Sequence, residues 1–394
     1  CSAVPIARCW VSLPIAQLCT FLLMADESNG VADGQWLFTE AGLARAREAA
    51  RDRAAATLQS SAIEGSERRP SAREPARPLG LEESSRLVFF YAQKLPELCD
   101  LCGAPPDVRW TAVVFYHRFF AVRSPMEFDP LPLMFACVHL ACKVEEVREI
   151  TLEKLLEAAD FGADNLLKAK VVGLELPLLD GLGFVLLVEP KPDAALRVLA
   201  GELRGLLARE LASHTAAAPL SEPAWDEALA RAESLVADLG VRTDAVLRWP
   251  ASVVIAAALG AALDAHRDRP GEGSTERHEF ASEAVAKLLE RSLDAEVQGS
   301  IVRTAMRDVA HVLQQLPSEQ DVAEDAVKET ARNARRCHRV FERLRELATE
   351  QHEASRKERK RRWSEAKGTV RRQVPTPMLR DLMELNRKAP AERS

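Results

Sequence analysis

Apolar positions recur at three- and four-residue spacing along most of this chain, with few runs of β-branched residues, so the pattern predicts helices nearly throughout. The most distinctive stretch is Pro105 to Glu146, PPDVRWTAVVFYHRFFAVRSPMEFDPLPLMFACVHLACKVEE, which reads as two helices around one proline-bounded loop. Pro105-Pro106 opens the first, with Asp107 placed to supply a capping carboxylate, and Arg123-Ser124-Pro125 closes it. Asp129-Pro130 starts the second, whose residues 131–142 are apolar or small nearly all round, Leu133, Met134, Ala136, Cys137, Leu140 and Ala141 among them. A helix apolar on every side must be enclosed by other helices. His139, Lys143 and Glu146 fall at i, i+4 and i+7, which predicts one polar stripe near its end where a partner would meet it.

The rest of the chain extends this plan. Residues 1–34 read as a leader: an apolar segment, Cys9 to Met24, follows Arg8, and an upstream extension of a chain starting at Met24 outweighs a signal segment because Pro14 interrupts the run. Residues 35–59 hold an N-terminal helix, Ala41–Leu58, with a thin apolar face of Leu43, Ala46, Ala50, Ala54 and Leu58. Residues 60–80 read as a disordered, proline-rich linker, with structure resuming near Leu81. A first five-helix domain over 81–189 follows: Glu82 to Cys102, with Pro96 as a kink, then the two helices above, Thr151–Ala159, and Ala163–Leu182. Residues 193–316 repeat the plan with helices at Ala194–Leu211, Trp225–Leu239, Ala251–His266, Glu279–Leu293 and Ala295–Leu316. The helix after Pro250 matches the one after Pro130 in position and character, so two tandem five-helix domains are expected, with additional N- and C-terminal helices. A charged C-terminal helix over 322–350 and a basic tail over 351–394 complete an all-α chain.

Composition narrows the function. The 394 residues are 47% hydrophobic, enough for substantial cores, and carry a formal net charge of −6. An acidic body argues against wholesale nucleic-acid binding. The exception is the tail, with 13 Lys and Arg against 6 Asp and Glu, densest at Arg356–Arg362 and read as a solvated or nuclear-targeting run. The eight cysteines show no framework spacing and read as free thiols. Cys99, Cys102, Cys137, His139 and Cys142 can be gathered on paper into a zinc site, but the second group sits inside an apolar run where Cys is usually a core residue, and no metal or cofactor is expected. His117 and His139 are flanked by hydrophobes and read as packed histidines. With no glycine-rich phosphate loop and no paired acids in a recognisable setting, the chain does not read as an enzyme, and no catalytic residue is assigned. On the residues alone, Lys143 and Glu175 are ordinary surface charges.

Family resemblance reweights those two. FYHRFFAVRSPMEFDPLPLMFACVHLACKVEE resembles the second and third helices of a cyclin box, and LELPLLDGLGFVLLVEPKP resembles its fifth helix and exit. QWLFTEAGLARAR, VRTDAVLRWP and Ala331–Phe341, with Cys337-His338, resemble the flanking elements of the cyclin H group. The resemblance implies a non-catalytic subunit that binds and activates a cyclin-dependent protein kinase, with Lys143 and Glu175 as polar anchors of the interface and Glu146 and His139 beside them. For cyclin H it further implies a RING-finger assembly factor, TFIIH, phosphorylation of other kinases and of the RNA polymerase II tail, and a nuclear location, with no membrane and no direct nucleic-acid partner. The alternatives are a cyclin C-like Mediator subunit and a TFIIB-like factor, the latter lacking its zinc ribbon here. Two departures stand out: Pro177 lies inside the fifth helix, where it should kink the chain and redirect Glu175, and the tail is basic.

Overall fold

In a computed structural model that describes residues 36–65, 76–213, 221–267, 284–286, 296–316 and 324–373, every regular element among the described residues is an α-helix. The leader over residues 1–34, the middle of the expected linker, most of Glu279–Leu293 and the chain beyond Gln373 lie outside the described residues.

Among the described residues the first helix is α1 (Glu40–Gly65), followed by α2 (Leu81–Ala92), α3 (Leu95–Cys102), α4 (Pro106–Val122), α5 (Pro130–Val144), α6 (Leu152–Ala158) and α7 (Asn165–Gly181). A second set comprises α8 (Pro192–Ser213), α9 (Glu222–Arg242), the short α10 (Ala245–Arg248), α11 (Ala251–Arg267) and α12 (Glu296–Gln314). The last described helix is α13 (Glu324–Gln373).

The two helices that are apolar all round are the hubs. α5 packs against α2, α3, α4, α6 and α7, and α11 against α8, α9, α10 and α12. Asp129 caps α5 by accepting from the Leu131 N–H at 3.1 Å, and Pro130 occupies the first turn, where its missing donor is no loss. Eleven of the fifteen α5 residues are buried. One hydrophobic cluster runs through both sets, from Trp36 to Val309, and α4 joins them by packing on α8, α9 and α10.

Several local expectations need correction. Asp107 does not cap α4: Pro105 is the N-cap residue, and no side chain satisfies that end. The stretch Glu82 to Cys102 is two helices, because the chain turns at Gln93-Lys94 and Pro96 then sits in the opening turn of α3, where proline is tolerated. α1 continues six residues beyond Gln59 into the expected linker, to Gly65. The linker's far end is packed as well: Leu79 is buried, and Arg77 exchanges backbone hydrogen bonds with the Asn333 amide of α13 at 3.3 and 2.9 Å. Pro177 does not break α7, which runs unbroken to Gly181. The carbonyl that loses its donor belongs to Gly173, which is exposed and meets nothing on its open side, so water can take over that bond.

α13 outruns the expected Val322–Thr349 because its extension is made of strong helix formers, with Glu358–Arg362 and Arg361–Glu365 pairs at i, i+4 and no glycine before Gly368. As far as His338 it belongs to the main body, burying Val327, Thr330, Asn333, Ala334, Cys337 and His338 along one side. His338 Nε2 lies 2.7 Å from the Pro125 carbonyl. From Arg339 onward the chain forms a second compact unit, whose residues 345–365 are exposed throughout.

Candidate functional site

The charged residues picked out by sequence sit where α5 ends beside α7. Lys143 occupies the last turn of α5, where a cation is favoured by the helix dipole. Its Nζ donates to Glu175 Oε1 of α7, and both side chains are nearly half exposed. An ion pair that wet is worth about 0–1 kcal/mol, so it orients two side chains more than it holds two helices together. What holds α5 to α7 is the buried side of α7, Leu167, Val171, Leu178 and Gly181.

Glu146 departs from the expected stripe. α5 stops at Val144, and Glu146 takes a left-handed backbone (φ +58) while the Val147 N–H returns to the Cys142 carbonyl at 2.8 Å. Such a C-terminal turn usually carries glycine. Glu146 is therefore exposed on the turn after the helix rather than a turn above Lys143. His139 is half-buried one turn before Lys143, and its Nδ1 has no hydrogen-bond partner. Its pKa is lowered first by burial and then by the neighbouring Lys143 charge, with Glu175 and Glu153 opposing. It is a neutral wall of the site.

Sequence reasoning missed the apolar part. α7 buries one side, yet on the opposite side Leu166, Val172 and Leu176 are 68, 57 and 68% exposed, with Ala169 and Gly173 between them. A surface helix ordinarily turns polar residues outward, and a contiguous exposed apolar face beside a fixed charge pair is the signature of a contact surface. The signal was present in LLKAKVVGLELPLL, apolar on both sides of the wheel.

A second missed feature backs the site from behind. Lys191, in the segment joining the two sets, reaches Glu145 at the C-cap of α5 and donates to Thr111 Oγ1 of α4 at 2.7 Å, and Thr111 in turn donates to Glu145 at 2.6 Å. Lys191 and Glu145 keep only 10 and 17% of their side-chain exposure. Asp107 and Glu189 share this neighbourhood, and burial raises the pKa of both. Glu145 thus pins the end of α5 immediately after Lys143.

The cysteines are core residues. Cys99, Cys102, Cys137 and Cys142 are buried free thiols, and burial pushes Cys99 up to about 12 and Cys142 to about 11. Among the described residues no group of three or more His, Cys, Asp or Glu is arranged to hold a metal ion, and no helix is long and apolar enough to cross a membrane.

Residues 91–187, which contain α5, α7 and the Lys143–Glu175 pair, match the cyclin N-terminal domain. That part of the chain is similar to the cyclins. It is 28% identical over 180 residues to Cyclin-H1-1 of Arabidopsis thaliana, an alignment covering 42% of this chain and 52% of that protein. It is 36% identical over 112 residues to Cyclin CCL1 of Saccharomyces cerevisiae, covering 28% of this chain and 27% of that protein. The chain thus spans about half or less of the length of these relatives. Its fold resembles a chain in the structure of the CAK complex of Chaetomium thermophilum bound to ATP-γ-S, with a TM-score of 0.59 at 20% identity, covering 80% of this chain and 91% of that one. By the sequence resemblance, α4 and α5 would correspond to the second and third helices of a cyclin box and α7 to the fifth.

Proposed function

We propose that the chain is the regulatory subunit of a cyclin-dependent protein kinase of the CDK-activating, TFIIH-linked type, and that α5 and α7 form its kinase-binding surface. The observation that carries this reading is the uncovered apolar face of α7, Leu166, Val172 and Leu176, beside the Lys143–Glu175 pair. Relatives named for cyclin H support the choice of kinase class. On this reading the apolar face supplies most of the burial energy, roughly 1.5–3 kcal/mol for each large side chain fully covered, while Lys143 and Glu175 fix register. Glu146 and His139 complete the contact. Docking against the kinase's C-helix moves that helix inward, so its glutamate pairs with the lysine of the third strand and the kinase becomes competent. A RING-finger assembly factor and TFIIH would complete the assembly, placing the protein in the nucleus.

The test is affinity purification of the tagged full chain with identification of the bound kinase, repeated for Lys143→Ala, Glu175→Ala and Leu176→Asp. The expected outcome is recovery of a CDK-activating kinase by the native chain, and at least tenfold lower recovery for each variant at unchanged melting temperature. Undiminished recovery by the variants would remove the surface from the proposal. Recovery of a Mediator-type kinase would reassign the subunit.

A further inference from the structure

The helix beyond Arg339 presents a surface of a different kind. In Arg356–Arg362 six of seven residues are cations, Glu358 being the exception. Arg361 pairs with Glu365 at 3.5 Å and Arg362 with Glu358 at 2.6 Å, whereas among the described residues Arg356, Lys357, Arg359 and Lys360 have no ion-pair partner. Arg356, Arg359, Lys360 and Trp363 stand at i, i+3, i+4 and i+7, one face of the helix, and Trp363 is 69% exposed. We propose that this face binds the phosphate backbone of duplex nucleic acid without sequence preference.

Charge density selects the partner. Seven helical residues rise about 10 Å, and over that length a duplex carries about six phosphate charges, enough to meet each of the cations Arg356, Lys357, Arg359 and Lys360. An acidic protein would need a comparable number of carboxylates in the same 10 Å, mutually repelling and without a condensed counterion layer to release. A membrane surface is a poorer match, because an interfacial helix needs an apolar face and residues 351–365 offer only Ala354 and Trp363. A receptor that reads the run as an extended import signal would have to unfold a helix that is complete here. The helix itself, about 10–12 Å across, fits a major groove about 12 Å wide.

Fluorescence anisotropy of a labelled duplex of about 20 base pairs and arbitrary sequence, titrated with the full chain between about 50 and 200 mM salt, tests the proposal. Binding is expected with a log–log salt slope near about −4, the same for unrelated sequences. The Arg356→Ala/Arg359→Ala/Lys360→Ala variant should bind at least about tenfold more weakly, with the slope reduced by about 3, and should still recover the kinase. No duplex binding at about 50 mM salt, equal binding by the triple variant, or tighter binding to polyglutamate than to the duplex would overturn it. Loss of nuclear accumulation by the triple variant with duplex affinity unchanged would assign the run to an import receptor instead.

Discussion

His117 is sealed inside the seam between the two helix sets, wholly buried, tilted against Phe89, and near the Arg47–Asp244 ion pair. Burial, opposed by Asp244 and reinforced by Arg47, lowers its pKa to about 4 from 6.5. The folded protein therefore holds a neutral imidazole while the unfolded chain takes up a proton below pH 6.5, so this contribution to stability is intact above about 6.5 and is lost as pH falls toward 4. The full loss is about 3 kcal/mol. Denaturant melts at pH 7 and pH 5 should show it, and His117→Leu should flatten the difference. An unchanged pH dependence in that variant would place the acid sensitivity elsewhere. His139 is also lowered by burial and by the Lys143 charge, but its ring is half-buried and lies beside the proposed kinase surface.

At the level of elements, the position of α7 on α4 decides where Glu175 and the apolar face point. Gly181 closes that contact: a Cβ there would lie 2.5 and 2.7 Å from Cδ2 and Cε2 of Phe119. The ring cannot step aside, because Phe119 is fully buried and stands edge-on to Phe120 and Phe128 at 5.4 and 5.0 Å between centroids. Gly181→Ala is accordingly expected to destabilise by about 1–3 kcal/mol, read as a lowered denaturant midpoint. Because α7 must tilt to accept the methyl, kinase recovery should fall with it. A variant as stable as the native chain would show that α7 is held elsewhere. Pro177 matters less than its position in the sequence suggests, since its cost falls on a carbonyl that water reaches.

Across the whole molecule, the two helix sets are joined by contacts far apart in sequence. Arg47 of α1 forks onto Asp244 just before α10, and the Phe38 N–H donates to the Leu247 carbonyl at 2.8 Å, so the N-terminal segment spans both sets. Lys191 does the same from within, lying between Glu145 and Thr111. Lys191→Met leaves Glu145 buried without its cation and is expected to cost about 3 kcal/mol, measured by equilibrium unfolding. Lys191→Met with Glu145→Gln should recover most of that, because the uncompensated charge is gone. A double variant no better than the single one would mean that the lysine acts through packing alone.

The sequence by itself determined the helical class and the two enclosed hub helices, while the pairing of Lys143 with Glu175 came only from the structure. Hydrophobic periodicity is local, and the cyclin resemblance carried the two charges as motif positions. It did not reveal where α5 ends, because the left-handed turn at Glu146 comes from a backbone return to Cys142 at a position lacking the usual glycine. Nor could it show that Leu166, Val172 and Leu176 stay uncovered, since an apolar residue in the sequence looks the same whether or not another helix lies over it. The Lys191–Glu145–Thr111 cluster was equally hidden: its members are 34 to 80 residues apart, and only packing of α4, α5 and the joining segment brings them within hydrogen-bond reach. Helix identity was written locally, while exposure and long-range pairing were decided only when the helices were laid against one another.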